Sequence, residues 1–319
     1  MPLIQSPDIA VVSADQVPEH LPMDRAISAL EHALKSGLEP EKSLARSSVP
    51  LERGSFLLMP GEHGGYAGVK ILTVAPENHK RRLPKIQGSY LLFDSDTLRP
   101  LVLIDGVALT AIRTPAISAL AIHHLAPANP VSLLVFGTGP QALYHVRAVA
   151  AVRKLNTVTV VGRSETRTGT FVDQLRAEGY DARRGTAADV AYADVITCCT
   201  SAREPLFDGS LVPDDAVVVA MGSHEPDARE VDDVLVARST VYVEDVETAL
   251  REAGDVIISV RNGTITREDL HGLSSLVRTG PQPRRGPAFF KSVGMGWQDL
   301  VTACVVYEDL APSPGTTGH

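Results

Sequence analysis

Apolar residues change their spacing twice along the chain. Between residues 9 and 104, short apolar or β-branched runs occur at Ile9 to Val12, Ser55 to Met59, Tyr66 to Val74, Ser89 to Phe93 and Leu101 to Ile104. Gly, Pro, Asn and Asp separate them, a pattern that predicts a sheet of close antiparallel neighbours. One helix is predicted in this stretch, from about Met23 to Ser36, closed by Gly37.

From Val107 to Leu125 the spacing becomes helical, with Pro115 either opening a helix or kinking one, and the segment reads as a connector between domains. The run Val131 to Phe136 is apolar throughout, as a strand buried on both faces requires. A glycine-rich turn, a helix-compatible segment from Gln141 to Val152 and a strand from Thr157 to Val161 follow. The alternation continues with a helix near Thr166 to Ala177 and strands at Val195 to Cys199, Ala216 to Ala220 and Val241 to Glu244, which predicts a doubly wound parallel sheet. Phe289 to Leu310 reads as one long helix returning to the first domain.

Composition narrows the picture. At 319 residues the chain exceeds the size at which one core usually stops growing, so two domains are expected. The net charge of −8 opposes a general phosphate-backbone binder, and no nucleic-acid partner is expected. Cys198, Cys199 and Cys304 form no even disulfide framework, which suits a reducing compartment. Neither a signal peptide nor a run of about 18 apolar residues is evident, so a cytoplasmic location without a membrane partner is the expectation. The tail from Pro312 to His319 is expected to be disordered, and no metal site is expected.

The chemistry begins at Gly137-Thr138-Gly139-Pro140-Gln141-Ala142, which fits G-x-G-x-x-A. The first Gly permits a tight turn, the second lets backbone approach a diphosphate, and the small last residue allows close helix packing. Amides at the helix N-terminus then favour a pyrophosphate. After the next strand the chain reads Val161-Gly162-Arg163-Ser164 and then Arg167, without the carboxylate that would bond an NAD ribose. Arg and Ser can grip a 2′-phosphate, so NADP(H) is the preferred cofactor and NAD(H) the possible one, unless the arginines are only solvated surface charges. This places a Rossmann-type dinucleotide-binding domain at 116–294 and a second, discontinuous α/β domain at 1–115 with 295–319.

Several ordered segments outside the turn carry a wider likeness: Gly68-Val69-Lys70, Leu101 to Gly106, Leu109 to Thr114, Phe136 to Ala142 and Phe290 to Met295. On these the chain, from about Arg46 to Asp309, resembles the ornithine cyclodeaminase/mu-crystallin family. The resemblance implies an oxidoreductase acting on small amino or imino acids, whose second domain binds substrate and forms a homodimer. Family members include cyclodeaminases, reductases of cyclic ketimines, alanine dehydrogenases and mu-crystallin.

It further implies that Arg46, Lys70, Arg113 and Val293 face the substrate, and that Thr200, Met221, Gly222 and Ser292 join the cofactor site. Arginine forks orient a carboxylate, while Lys70 either shares a proton with an imine nitrogen or only positions it. Two positions depart from the family. His224 stands where cyclodeaminases carry a catalytic Asp, and Lys85 stands where Thr is usual. His224 can act as an acid or base, or simply be satisfied by backbone. The expected function is therefore reduction of a ketimine such as pyrroline-2-carboxylate or piperideine-2-carboxylate, with cyclodeaminase or amino-acid dehydrogenase activity as the enzymatic alternatives. A non-catalytic dinucleotide-dependent binding protein is the alternative of another class.

Overall fold

Period-two and period-3.6 patterns resolve into two sheets, each with its own helices, in a computed structural model that describes residues 9–284 and 286–310, the side chain of His79 aside. The predicted disordered tail lies outside the described residues. Two compact units divide the chain: one comprises Met1–Leu30, Lys42–Arg113 and Met295–His319, the other Glu31–Glu41 and Thr114–Gly294.

The first unit contains β1 (Ala10–Val12), α1 (Val17–His20), most of α2 (Met23–Lys35), β2 (Ser47–Leu51), β3 (Gly54–His63), β4 (Tyr66–Val74), β5 (Ile86–Asp94) and β6 (Pro100–Asp105). Its sheet runs β1-β6-β5-β4-β3-β2, antiparallel except where β1 joins β6. Strand alternation in β4 sends Gly68, Lys70 and Leu72 to the buried face and leaves Ile71 exposed on the other. The last helix among the described residues, Gly296–Leu310, packs on β3, β4 and β5. Gly296 lets it approach, because a Cβ there would collide with the carbonyl of Pro60. Edge strand β2 escaped the sequence pattern because all five of its residues are exposed and it contains Pro50, which an edge tolerates.

Helix α3 (Gly106–Leu125) begins in the first unit and continues into the second, with Pro115 inside it rather than at its start. By length and composition it could cross a membrane, yet 72% of its apolar window is buried in the protein, as in the core helix of a globular fold. The second unit then alternates β7 (Val131–Phe136), α4 (Pro140–Val152), β8 (Leu155–Val161), α5 (Glu165–Ala177), β9 (Ala182–Arg184), β10 (Val195–Cys198) and β11 (Val217–Ala220). It continues with α6 (Asp233–Arg238), β12 (Thr240–Val243), α7 (Val246–Glu252), α8 (Gly254–Arg261), β13 (Leu270–Gly272), α9 (Leu273–Thr279) and β14 (Ala288–Lys291), after which α10 is the Gly296–Leu310 helix.

All eight strands of this sheet are parallel, in the order β13-β12-β14-β11-β10-β7-β8-β9. Leu134, Phe136, Ile196, Val218 and Phe289 share its core with Leu235 of α6. Strand order reverses between β7 and β10, the switch point at which such sheets bind ligands beyond their carboxyl ends. One expectation needs correction: the long helix from Phe289 is a strand, β14, and helix begins only at Gly296. Parallel pairing with β11 on one side and β12 on the other satisfies its backbone, and four buried residues are too few for local periodicity to distinguish the two states.

Candidate active site

In the second unit, β7 ends at Phe136 and Gly137 turns the chain with φ +113, a conformation suited to glycine. A Cβ there would also stand 2.5 Å from the carbonyl oxygen of Cys199. Gly139, at the N-cap of α4, is different: among the described residues, a Cβ there would meet no atom within 4 Å. No described residue requires Gly139 to be bare, but a phosphate set against the α4 amides would. Pro140 opens the helix and Gln141 follows it, while Ala142 is buried.

A cavity of about 510 Å³ extends from this turn, lined by Gly137, Thr138 and Gly139 on one side, Arg163, Ser164 and Arg167 beyond β8, and Thr200 beyond β10. Ser164 caps α5, accepting from the Arg167 amide at 3.4 Å, and both arginines are exposed. Among the described residues, no carboxylate lines the cavity. These residues fit a dinucleotide: glycine turn and helix terminus for the pyrophosphate, cationic loop for the far ribose. Met221, Gly222, Ser292 and Val293 do not line the cavity; they follow β11 and β14. His224 is exposed in the loop after β11.

Those strand ends are tied down by buried acids that no local pattern announces. Glu230 accepts from the Thr200 amide at 2.9 Å, the Thr200 hydroxyl at 2.7 Å and the Gly222 amide at 2.7 Å. Asp255 accepts from the amides of Glu230 and Val231 and pairs with Lys291 at 2.8 Å. Glu244 accepts from the Ser292 hydroxyl and from the amides of Val293 and Gly294. The Val293 side chain packs on the core of the second unit.

In the first unit, Lys70 is completely buried on β4, between Met59 and Tyr90 in the strand register. Its ammonium donates to Thr110 Oγ1 at 3.2 Å and to Asp299 Oδ1 at 2.9 Å. The same Asp299 oxygen accepts from Arg113 Nε at 3.0 Å, and Arg113 Nη1 donates to Gln298 at 2.9 Å. Burial lowers the Lys70 pKa to about 8, Arg113 pushes the same way, and Asp299 opposes both. Arg46, just before β2, is close enough to lower it further. Lys70 and Arg113 share a single carboxylate, so the cluster keeps an excess of positive charge suited to an anionic ligand. Lys85 is exposed, and its carbonyl accepts from the Ala75 amide at 2.8 Å.

The pattern of the ornithine cyclodeaminase/mu-crystallin family matches residues 8–313. The chain belongs to that family. A Delta(1)-pyrroline-2-carboxylate reductase of Colwellia psychrerythraea is 33% identical over 313 residues, spanning 94% of this chain and 99% of that protein. The solved structure of Thermococcus litoralis Delta(1)-pyrroline-2-carboxylate reductase in complex with NADH and L-proline is similar with a TM-score of 0.87 at 29% identity, covering 94% of this chain and 97% of that one. An archaeal alanine dehydrogenase dimer with bound NAD also has a TM-score of 0.87, at 26% identity, covering 94% and 95%.

Within this family member, the structure groups Lys70 with Arg113 and groups the glycine turn with Arg163, Ser164, Arg167 and Thr200. Asp299 and Gln298 escape a reading of the sequence because an acid in the first turn of a helix ordinarily looks like a partner for the helix dipole. Glu230, Asp255, Glu244 and Lys291 escape it because each resembles an ordinary surface charge until its burial is known.

Proposed function

We propose that this oxidoreductase reduces a small cyclic imino carboxylate, such as pyrroline-2-carboxylate or piperideine-2-carboxylate, to the L-amino acid, using NADP(H) in preference to NAD(H). The carrying observation is the buried Lys70, Arg113 and Asp299 cluster. Arg113 and Arg46 bind the substrate carboxylate and fix its orientation. Lys70, held by Asp299 and Thr110, gives a proton from Nζ to the imine nitrogen, which makes the adjacent carbon a better hydride acceptor, and regains a proton from solvent. A pKa of about 8 keeps that donor charged at neutral pH yet willing to release its proton.

When bound, the dinucleotide supplies the hydride. Gly137, Thr138, Gly139 and the start of α4 hold its pyrophosphate. Arg163, Ser164 and Arg167 favour a 2′-phosphate, and the lack of a carboxylate among the described residues of the cavity lining supports that choice. His224, in place of an acid, disfavours deamination with ring closure.

Purified protein offered each imine with NADPH or NADH tests these assignments. Loss of nicotinamide absorbance with formation of L-proline or L-pipecolate is expected, together with tighter binding of NADPH. No turnover of either imine overturns the substrate class, and equal or tighter binding of NADH overturns the 2′-phosphate assignment. NADPH binding without turnover across a broad amino and imino acid panel would instead mark a binding protein.

We also infer a homodimer built on the outer face of the six-stranded sheet, where Val49, Phe56 and Ile71 are exposed beside half-buried Leu58, Leu91, Phe93 and Leu103. An apolar face of this extent favours a partner. Sedimentation at the mass of a single chain would remove that inference.

A further inference from the structure

The buried acid Glu230 ties two strand-end loops to each other. Its two oxygens accept from three donors on two different strand-end loops: Thr200 after β10, through amide and hydroxyl, and Gly222 after β11, through its amide. Those loops press together so closely that a Cβ on Gly222 would collide with the Thr200 carbonyl and stand 2.6 Å from Glu230 Oε1. The backbone of Glu230 is itself anchored, because its amide and that of Val231 donate to Asp255, which pairs with Lys291. Thr200 lines the dinucleotide cavity, and both loops lie beyond the carboxyl ends of strands on the β10 side of the switch point.

We propose that Glu230 is a positioning residue of the dinucleotide site, whose ionised carboxylate holds the Thr200 and Gly222 loops in the shape that receives the nicotinamide half and whose protonation releases Gly222. The inference rests on the dinucleotide reading above. An ionised carboxylate presents acceptor lone pairs, and its charge, to all three donors. A glutamine turns an N–H towards one of those donors, and a protonated acid loses the charge that strengthens the bonds and gives up an acceptor site to its own O–H.

The charged and titratable groups that face Glu230 are Lys291 on β14, Asp255 on α8, Cys198 on β10 and Cys199 just beyond it. Burial raises its carboxyl to about 7, with Asp255 pushing the same way; Lys291, Thr200 and Gly222 oppose the rise. Because this value lies above the ordinary 4.5, its contribution to stability is full below 4.5 and lost as pH rises through about 7. Cofactor affinity runs oppositely, since the clasp closes as the proton leaves.

NADH, which has no titrating 2′-phosphate, is the probe. Its dissociation constant in the wild type should fall by up to about tenfold per pH unit as pH rises towards about 7, and then level off. Glu230→Gln should bind NADH at least about tenfold more weakly at pH 8, with a flat profile and an unchanged KM for the imine; His224→Asn should retain the wild-type profile. A flat wild-type profile, loss of the dependence in His224→Asn, or wild-type binding by Glu230→Gln overturns the proposal. If Glu230→Gln does not fold, the other two profiles still decide. Wild-type protein that binds neither NADH nor NADPH at any pH sinks the dinucleotide reading as well, whereas binding with a flat profile sinks this inference alone.

Discussion

Replacing Asp299 by Asn keeps the shape of the side chain and removes the carboxylate that bridges Lys70 and Arg113. Both hydrogen bonds weakened by the change are charge-assisted, at 2.9 Å to the ammonium and 3.0 Å to the guanidinium, in a place where all three side chains are nearly or fully inaccessible. At an effective dielectric of about 20, unit charges this close attract by about 6 kcal/mol, which sets an upper bound. Removing one partner of a buried pair typically costs about 3 to 5 kcal/mol, because the remaining cation stays buried without its counter-charge. Part of that cost is relieved by deprotonating Lys70, so its pKa should fall from about 8 by at least about one unit.

Two assays read this. Urea unfolding at pH 6 should show the full loss of stability. The gap should then close by up to about 1.4 kcal/mol per unit until pH 8, where wild-type Lys70 also begins to lose its proton. The sign follows from a lysine whose folded pKa lies below its unfolded 10.5: stability rises with pH between the two values, and the variant enters that range earlier. In imine reduction, wild-type kcat/KM should decline above about pH 8 as the proton donor is lost, and the variant should decline at lower pH. An unmoved alkaline limb would show that Lys70 is not the titrating donor. Stability within about 0.5 kcal/mol of wild type would refute the buried triad itself.

Other consequences concern the second unit. Gly139→Ala should leave unliganded stability within about 0.5 kcal/mol, since its Cβ meets no atom of the described residues, yet weaken NADPH binding at least about tenfold; unchanged binding would remove the pyrophosphate from this turn. Gly137→Ala should instead lose about 1 to 3 kcal/mol of stability before any ligand is added, from positive φ and the Cys199 carbonyl, and calorimetry that shows no loss would contradict the turn geometry. Arg163→Ala combined with Arg167→Ala should cost NADPH about tenfold or more while sparing NADH, and an unchanged ratio of dissociation constants would exclude both arginines from phosphate recognition.

Much of the architecture was legible in the chain. The apolar and β-branched run Tyr66 to Val74 marked β4 to the residue, and the apolar run before Gly137 marked β7, because strand preference is a property of consecutive residues. The glycine turn was legible for the same reason, as a steric requirement written in consecutive residues. Lys70 and Arg113 were visible only through resemblance, since nothing near either residue in the chain says that it is buried.

Sequence by itself determined two regions of α/β pattern, a strand–turn–helix with a glycine motif at the turn, and a cationic loop after β8. Tertiary structure alone decided that Ala288–Lys291 is a strand, that Asp299 meets Lys70 across 229 positions, and that Glu230 joins two loops. The physical reason is range. Helical and strand periodicity and turn sterics act over a few residues, whereas a buried charge is defined by partners that only the completed packing brings together.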